Sequence, residues 1–161
     1  MENTLKLLHK KLSRGKITIA VAESCTGGEL SGLLTRYPGS SLYFILGIVA
    51  YSNKSKEKLL KIPHKIIKSQ GAVSETVAAL MAGNIRRLAK ATIALSITGI
   101  AGPAGAVKNK PVGTVYICAC AKNKLICRKF RFSGNRARIK TRASGQALKM
   151  LAELICAHSS A

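Results

Sequence analysis

Apolar residues along this chain follow two spacings, and each spacing predicts a different element. Apolar residues three or four positions apart predict amphipathic helices, whereas short, β-branched apolar runs predict buried strands. Helices are predicted over residues 2–13, 29–36, 54–60, 75–90 and 136–157. Buried strands are predicted over residues 16–22, 42–51 and 91–98, and a hairpin over residues 114–121 and 125–132. Gly47 interrupts the second strand and indicates either a bulge or a close contact there.

The order of these elements predicts the fold class. Strands alternate with helices along most of the chain, and a hairpin and a last helix follow. This order favours an α/β fold, a three-layer α/β/α sandwich on a mixed sheet. The 161 residues are 47 % apolar, which is enough for one domain with a real core and too few for two. We therefore expect a single domain over residues 1–161.

The net charge of +21 is the most unusual feature of the composition. The 27 Lys and Arg residues are spread along the chain, against only six acidic residues. Such a field attracts phosphates, on a nucleotide or on a nucleic acid, or it is simply a solvated surface. Aromatic residues make up 4 % of the chain and Trp is absent, so stacking platforms for single-stranded nucleic acid are scarce. A nucleic-acid partner is left open and is not favoured.

The lack of a recognisable targeting signal and the cysteine usage both indicate a cytoplasmic protein. No apolar run reaches the roughly 20 residues of a membrane span, and the amphipathic N-terminus has no signal cleavage site. We therefore expect no membrane association. The five cysteines are odd in number and form no C-x-x-C pair, which indicates buried thiols in a reducing compartment. The histidines lie far from the cysteines, so no metal site is predicted.

The chain contains no Asp, and this absence excludes several kinds of catalytic site. A Ser-His-Asp triad cannot form, an acidic two-metal site is disfavoured, and no Walker motif is present. A G-x-S-x-G turn that would hold a serine is also absent. Catalysis would therefore depend on hydroxyls, lysines, backbone amides and at most one Glu, without a metal or cofactor.

Three loops that follow predicted strands carry the polar and glycine residues of a candidate site. Open α/β sheets bind ligands at the carboxyl ends of their strands. In the first loop, Ser24 and Thr26 precede Gly27 and Gly28, where free backbone amides at the start of a helix can bind an anion or an oxyanion. The alternative is an ordinary hydroxyl cap with a flexible turn.

The second loop combines three polar side chains with a lysine. Tyr51, Ser52 and Asn53 stand at a strand-to-helix turn, and Lys56 lies one helical turn after Asn53. Lys56 could act as a base if burial and neighbouring positive charge lower its pKa. The alternative is a capped helix with a solvated lysine.

The third loop, residues 98–105, is rich in glycine. Thr98 is followed by Gly99, Gly102 and Gly105 at three-residue spacing. Glycine is costly to order, so such a loop is expected where backbone wraps a ligand. The alternative is a plain connection before the hairpin. The three loops together indicate one composite site.

Five motifs resemble the CinA C-terminal domain family, which includes stand-alone nicotinamide mononucleotide (NMN) deamidases of the PncC type. The motifs are AESCTGG (22–28), YSN-x-x-K (51–56), GAVS (71–74), TGIAGP-x-G (98–105) and KPVGTV (110–115). The resemblance runs from about residue 4 to residue 156 and implies a mixed, mostly parallel five-stranded sheet. It also implies hydrolysis of NMN to nicotinic acid mononucleotide and ammonia, and a homodimer by analogy. Longer family members carry a further N-terminal domain.

The resemblance also implies roles for particular residues. Ser24 falls on the family's proposed nucleophile and Lys56 on its proposed base, which would take the proton directly or through Tyr51. Amides of the first loop, or the Thr98 hydroxyl, would stabilise the oxyanion. The substrate-binding positions correspond here to Thr26, Gly27, Gly28, Ser52, Asn53, Thr98, Gly99, Gly102 and Arg136.

Three positions depart from the family pattern. Asn135 replaces the Asp of a Gly-Asp-Arg segment, Ala106 replaces a Gly, and Lys140 replaces an Arg. These changes leave both proposed catalytic positions unchanged. If the three departures nevertheless abolish turnover, the chain would be a nucleotide-binding protein without catalytic activity, and this is an alternative to the amidase.

Overall fold

The computed structural model describes the backbone of residues 1–158 and the side chains of residues 1–156, so residues 159–161 of the predicted domain lie outside the described residues. The helices are α1 (Glu2–Arg14), α2 (Glu29–Leu34), α3 (Asn53–Leu60), α4 (His64–Gln70), α5 (Glu75–Ala89) and α6 (Arg136–His158). The strands are β1 (Ile19–Glu23), β2 (Phe44–Val49), β3 (Ile93–Gly99), β4 (Thr114–Ala121) and β5 (Lys124–Arg131).

The five strands form one sheet in the order β2-β1-β3-β4-β5. β1 pairs in parallel with β2 and β3, whereas β4 pairs antiparallel with both β3 and β5. Four strands therefore run in one direction and only β4 runs in the other. The predicted mixed, mostly parallel sheet is confirmed.

Two apolar cores separate the sheet from its two layers of helices. On β1, Ile19 and Val21 face one core, and Ala20 and Ala22 face the other. The first core includes buried residues of α1, α2 and α6, and the second includes buried residues of α3, α4 and α5. This alternation along β1 is the period-two pattern of a strand covered on both faces. The three-layer α/β/α sandwich is confirmed.

The prediction that the second strand is buried is wrong. β2 alternates between half-buried and exposed residues, and Ile45 and Val49 are 48 % and 45 % exposed. The reason is its position at the edge of the sheet, where only β1 pairs with it. The bulge lies at Ile45, whereas Gly47 marks a close contact, since a Cβ there would lie 2.8 Å from Ser31 Oγ.

Helix α4 has no counterpart among the predicted helices. It spans seven residues after Pro63, and its apolar positions are the adjacent pair Ile66 and Ile67. Two adjacent apolar residues do not show the spacing of three or four positions on which the helix prediction depends. Within the described residues, no helix is long and apolar enough to cross a membrane.

The interpretation of the five cysteines as buried thiols is wrong for three of them. Cys118 on β4 lies directly opposite Cys127 on β5, and the two form a disulfide. The hairpin register brings them together, and spacing along the chain does not reveal that register. Cys156 lies near the end of α6 and is exposed, whereas Cys25 and Cys120 are buried thiols, as predicted.

The topology brings the three candidate loops to the same edge of the sheet. β2, β1 and β3 are adjacent and parallel, and the end of β1 at Glu23 pairs with Val49 of β2 and Ile97 of β3. The segments that follow these strands therefore start side by side, and a cavity opens between them.

Candidate active site

A cavity of about 230 Å³ lies at the carboxyl ends of β1, β2 and β3. Parts of all three predicted loops line it, together with residues 72–73 between α4 and α5 and the first residue of α6. Eight of the predicted site residues are in its lining: Ser24, Tyr51, Asn53, Lys56, Thr98, Gly99, Gly102 and Arg136.

The side chains of Ser24 and Lys56 are in direct contact. Lys56 Nζ lies 2.9 Å from Ser24 Oγ, and both residues are buried, at 1 % and 7 % exposure for Lys56 and Ser24 respectively. Ser24 directly follows β1, and its backbone N–H donates to Ile97 O of β3 at 2.9 Å. Lys56 lies in the first turn of α3 and points inward. Backbone structure therefore fixes both partners.

Two carbonyl oxygens complete the surroundings of the Lys56 amine. Nζ donates to Ala50 O at 2.8 Å and to Tyr51 O at 3.3 Å. Carbonyl oxygens only accept hydrogen bonds, so a neutral amine must direct its two N–H groups to them. Its lone pair then faces the Ser24 hydroxyl. This arrangement orients Lys56 to receive the proton of Ser24 directly, without Tyr51 as a relay.

Burial lowers the pKa of Lys56 to about 8. Removal from water disfavours the ammonium form and is the larger cause, whereas interaction with Cys25 acts in the other direction. Neighbouring positive charge, the other cause considered from the sequence, makes no contribution. Burial raises the pKa of the Cys25 thiol to about 11, so Cys25 is a neutral thiol at pH 7.

The glycine-rich third loop follows the wall of the cavity closely. A Cβ at Gly99 would lie 2.7 Å from the Val115 side chain, and one at Gly102 would lie 2.6 Å from Val112. Gly102 also has a φ of +78°, which side chains disfavour. The loop can pack this closely against Val112 and Val115 only because these positions are glycine. Thr98 Oγ1 donates to Ala72 O at 2.8 Å, so it is already engaged rather than free for an oxyanion.

Arg136 connects the second and third loops across the mouth of the cavity. Its guanidinium donates to Gly102 O at 2.8 Å and to the hydroxyl of Tyr51. Guanidinium carries five N–H donors, so further donors remain for an anion. Lys56 and Arg136 are the two cationic side chains in the cavity lining.

Four predicted substrate-binding residues are not in the cavity lining. Gly27 N–H donates to Ser24 O at 3.1 Å, and Gly28 N–H donates to the carboxylate of Glu23 at 3.1 Å. Thr26 is buried, and Ser52 Oγ caps α3 by accepting from Ser55 N–H at 3.0 Å. The expectation that the Gly27 and Gly28 amides bind an oxyanion is wrong, because both have acceptors within the protein.

Glu23 is the residue that the sequence analysis missed. It is fully buried beside Ser24, and its carboxylate accepts hydrogen bonds from the first turn of α2. The signal was its place directly before a loop and a helix start, where a carboxylate is favourable.

Comparison with protein families and curated proteins gives a consistent result. The family model described as the CinA C-terminal domain matches residues 1–155. A CinA-like protein of Syntrophus aciditrophicus (strain SB) is 45 % identical over 149 residues, which is 92 % of this chain and 36 % of the relative. A CinA-like protein of Geobacter sulfurreducens is 42 % identical over 151 residues, with shares of 93 % and 37 %. This chain spans little more than a third of the length of these relatives.

Solved structures share the fold across nearly the whole chain. The competence/damage inducible protein CihA from Agrobacterium tumefaciens superposes with a TM-score of 0.92 at 33 % identity, covering 95 % of this chain and 94 % of that one. A competence-damaged protein (CinA) superfamily protein from Escherichia coli gives 0.90 at 31 % identity, with coverages of 95 % and 89 %.

The buried amine predicts a specific dependence of stability on pH. Between about pH 8 and the ordinary Lys pKa of 10.5, the unfolded chain binds a proton at Lys56 that the folded chain does not. The free energy of unfolding therefore rises with pH in this window. Urea unfolding at pH 7 and pH 9.5 should show wild type gaining stability relative to Lys56→Met. Equal pH dependence of the two proteins would contradict the lowered pKa.

Proposed function

This chain belongs to the CinA C-terminal domain family, and on that premise we propose that it is a nicotinamide-nucleotide amidase. The reaction is hydrolysis of the carboxamide of NMN to nicotinic acid mononucleotide and ammonia. The observation that carries the proposal is the buried contact of 2.9 Å between Ser24 Oγ and Lys56 Nζ. A hydroxyl held against an amine of lowered pKa is the arrangement of an activated nucleophile.

The mechanism begins with transfer of the Ser24 proton to neutral Lys56. Ser24 Oγ attacks the carboxamide carbon, and the carbonyl electron pair moves to the oxygen to give a tetrahedral intermediate. The Lys56 ammonium then returns its proton to the carboxamide nitrogen, and ammonia leaves as the carbonyl re-forms. Water hydrolyses the resulting acyl-enzyme by the same route, with Lys56 as the base, and regenerates Ser24.

The oxyanion is assigned in this proposal to the amide that follows the nucleophile. Ser24, Gly27 and Gly28 all use their N–H groups within the protein. Among the described residues, the N–H groups of Cys25 and Thr26 donate to no other residue, and the Cys25 N–H interacts only with its own side-chain thiol. Cys25 lines the cavity, so its amide is the nearer of the two to a bound carboxamide.

The phosphate of the nucleotide is assigned to Arg136. A nucleotide amide must present its carboxamide to Ser24 and its phosphate to a cation, and Arg136 is the cation at the cavity mouth. Tyr51, Asn53, Thr98, Gly99 and Gly102 are proposed to shape the space between the two ends. Asn135 Oδ1 accepts from Arg138 N–H at 3.0 Å, so the departure from Asp still provides an N-cap for α6.

The proposal includes a cytoplasmic location, one amidohydrolase domain and a homodimer. Light scattering on the purified chain would measure its oligomeric state. The alternative functions make different predictions for purified protein. NMN binding without ammonia release would indicate a non-catalytic nucleotide-binding protein. Steeply salt-dependent affinity for DNA, without NMN turnover, would favour a nucleic-acid-binding protein.

Substitution of the two proposed catalytic residues should abolish turnover. We expect Ser24→Ala and Lys56→Met each to lower kcat by about 10³-fold or more, because the first removes the nucleophile and the second removes the base that activates it. The assay incubates purified protein with NMN and measures ammonia and nicotinic acid mononucleotide together. Ser69→Ala and Lys68→Met, exposed positions on α4, serve as matched controls and should keep wild-type rates. Normal ammonia release by Ser24→Ala would overturn the covalent route.

The pH profile should report the Lys56 amine. Only neutral Lys56 can accept the Ser24 proton, so kcat/KM should rise with pH and level off above a midpoint near 8. The measurement is kcat/KM for NMN at several pH values between 6.5 and 9.5. A flat profile, or one that falls as pH rises through 8, would contradict Lys56 as the base.

Arg136 should select for the phosphate of the substrate. We expect Arg136→Met to lower kcat/KM for NMN by about 10-fold or more, because a charge-assisted contact is lost. Nicotinamide riboside has the same carboxamide and no phosphate, so it should lose much less. An equal loss for both substrates would assign Arg136 to holding Tyr51 and Gly102 alone.

A further inference from the structure

We propose that Glu23 is a positioning residue that holds Ser24 and Lys56 in their mutual geometry, an inference that rests on the amidase function proposed above. Glu23 ends β1 and is fully buried. It is a buried ionisable group that the proposed chemistry does not use. Its contacts lead separately to the nucleophile and to the base.

The first connection runs through the side chain of Glu23. One carboxylate oxygen accepts from Gly28 N–H and Leu30 N–H, both at 3.1 Å. The other accepts from Ser31 N–H at 2.8 Å and from Ser31 Oγ at 2.6 Å. These four hydrogen bonds tie the end of β1 to the first turn of α2. Ser24 is the next residue after Glu23, so the same bonds fix the start of the nucleophile loop.

The second connection runs through the backbone of Glu23. Its carbonyl oxygen accepts from Ala50 N–H at 2.8 Å. Ala50 O in turn accepts from Lys56 Nζ at 2.8 Å and thereby directs the amine toward Ser24. A shift of Glu23 would therefore move both the serine and the carbonyl that orients the lysine.

The four donors require a carboxylate at this position. A carboxylate only accepts, and each of its oxygens here receives two donors. The Gln amide has one accepting oxygen and would turn an NH2 group toward the remaining donors. Even with the Ser31 hydroxyl rotated to accept, at least one backbone N–H would be left buried and unpaired. Glu23→Gln therefore keeps the size of the side chain and disrupts its contacts.

The role of Glu23 is geometric rather than electrostatic. Lowering of the Lys56 pKa is caused by burial, with Cys25 as the other contributor, and Glu23 is not among the causes. Removal of the Glu23 charge should therefore leave the midpoint of the pH profile in place. Loss of positioning lowers the rate of the chemical step and has little effect on substrate binding.

The test compares Glu23→Gln with Glu29→Gln, which removes a negative charge from the turn of α2 that the Glu23 carboxylate contacts. We expect Glu23→Gln to lower kcat for NMN by about 10- to 100-fold, since small displacements of reacting groups have effects of this size. KM should stay within about 3-fold, and the pH midpoint should remain near 8. Glu29→Gln should match wild type in all three. A wild-type kcat for Glu23→Gln would overturn the proposal, as would a shifted pH midpoint.

A second variant keeps the test decisive if Glu23→Gln does not fold. Ser31→Ala removes one of the four donors and leaves the carboxylate, so kcat should fall by about 3- to 10-fold with circular dichroism unchanged. A wild-type kcat for a folded Ser31→Ala would count against the proposal in that case.

Failure of the amidase function is distinguishable from failure of the positioning role. If wild type releases no ammonia from NMN at any pH, the proposed amidase function is wrong, and this result does not bear on the role of Glu23. Crystal structures of wild type and Glu23→Gln then decide the role of Glu23. A Ser24 Oγ–Lys56 Nζ separation that lengthens beyond about 3.5 Å in the variant would support positioning. An unchanged separation would overturn it.

Discussion

The candidate site depends on one buried amine and the three oxygen atoms around it. Lys56 is enclosed by the protein, and a charged group there loses its hydration. The fold compensates with two carbonyl oxygens and one hydroxyl. An ammonium group donates one hydrogen bond to each of the three. A neutral amine donates to the two carbonyl oxygens and directs its lone pair at the Ser24 hydroxyl. The same three contacts therefore stabilise the buried amine and would also prepare the proposed proton transfer. No charged partner is needed for either.

Sheet topology explains why the site forms where it does. Parallel pairing of β2, β1 and β3 brings their carboxyl ends together, so Ser24, Tyr51 and Thr98 lie around one cavity. The antiparallel strand β4 then places Val115 against Gly99, which fixes the close course of the third loop. β5 returns the chain to the same edge, where α6 begins with Arg136. Both halves of the mixed sheet thus contribute to the cavity.

The large net charge and the local electrostatics of the site have separate effects. A field of +21 would speed the encounter with a phosphate-bearing ligand, and salt would screen it. The pKa of Lys56 is lowered by burial, and the other cation in the cavity lining, Arg136, does not contribute. Composition therefore bears on how a substrate arrives, whereas packing sets the state of the group that would react with it.

Local sequence was enough to predict the strands, the helices other than α4, the layers and the candidate dyad. Periodic apolar positions indicated Leu5, Leu8 and Leu12 of α1, and hydroxyls, glycines and motif spacing indicated Ser24 and Lys56. Tertiary structure decided that β2 is an edge strand, that Cys118 faces Cys127, and that the Glu23 carboxylate accepts a hydrogen bond from Gly28 N–H. The physical reason is that periodicity records which face of an element is buried. Which donor meets which acceptor is fixed only when distant segments pack together.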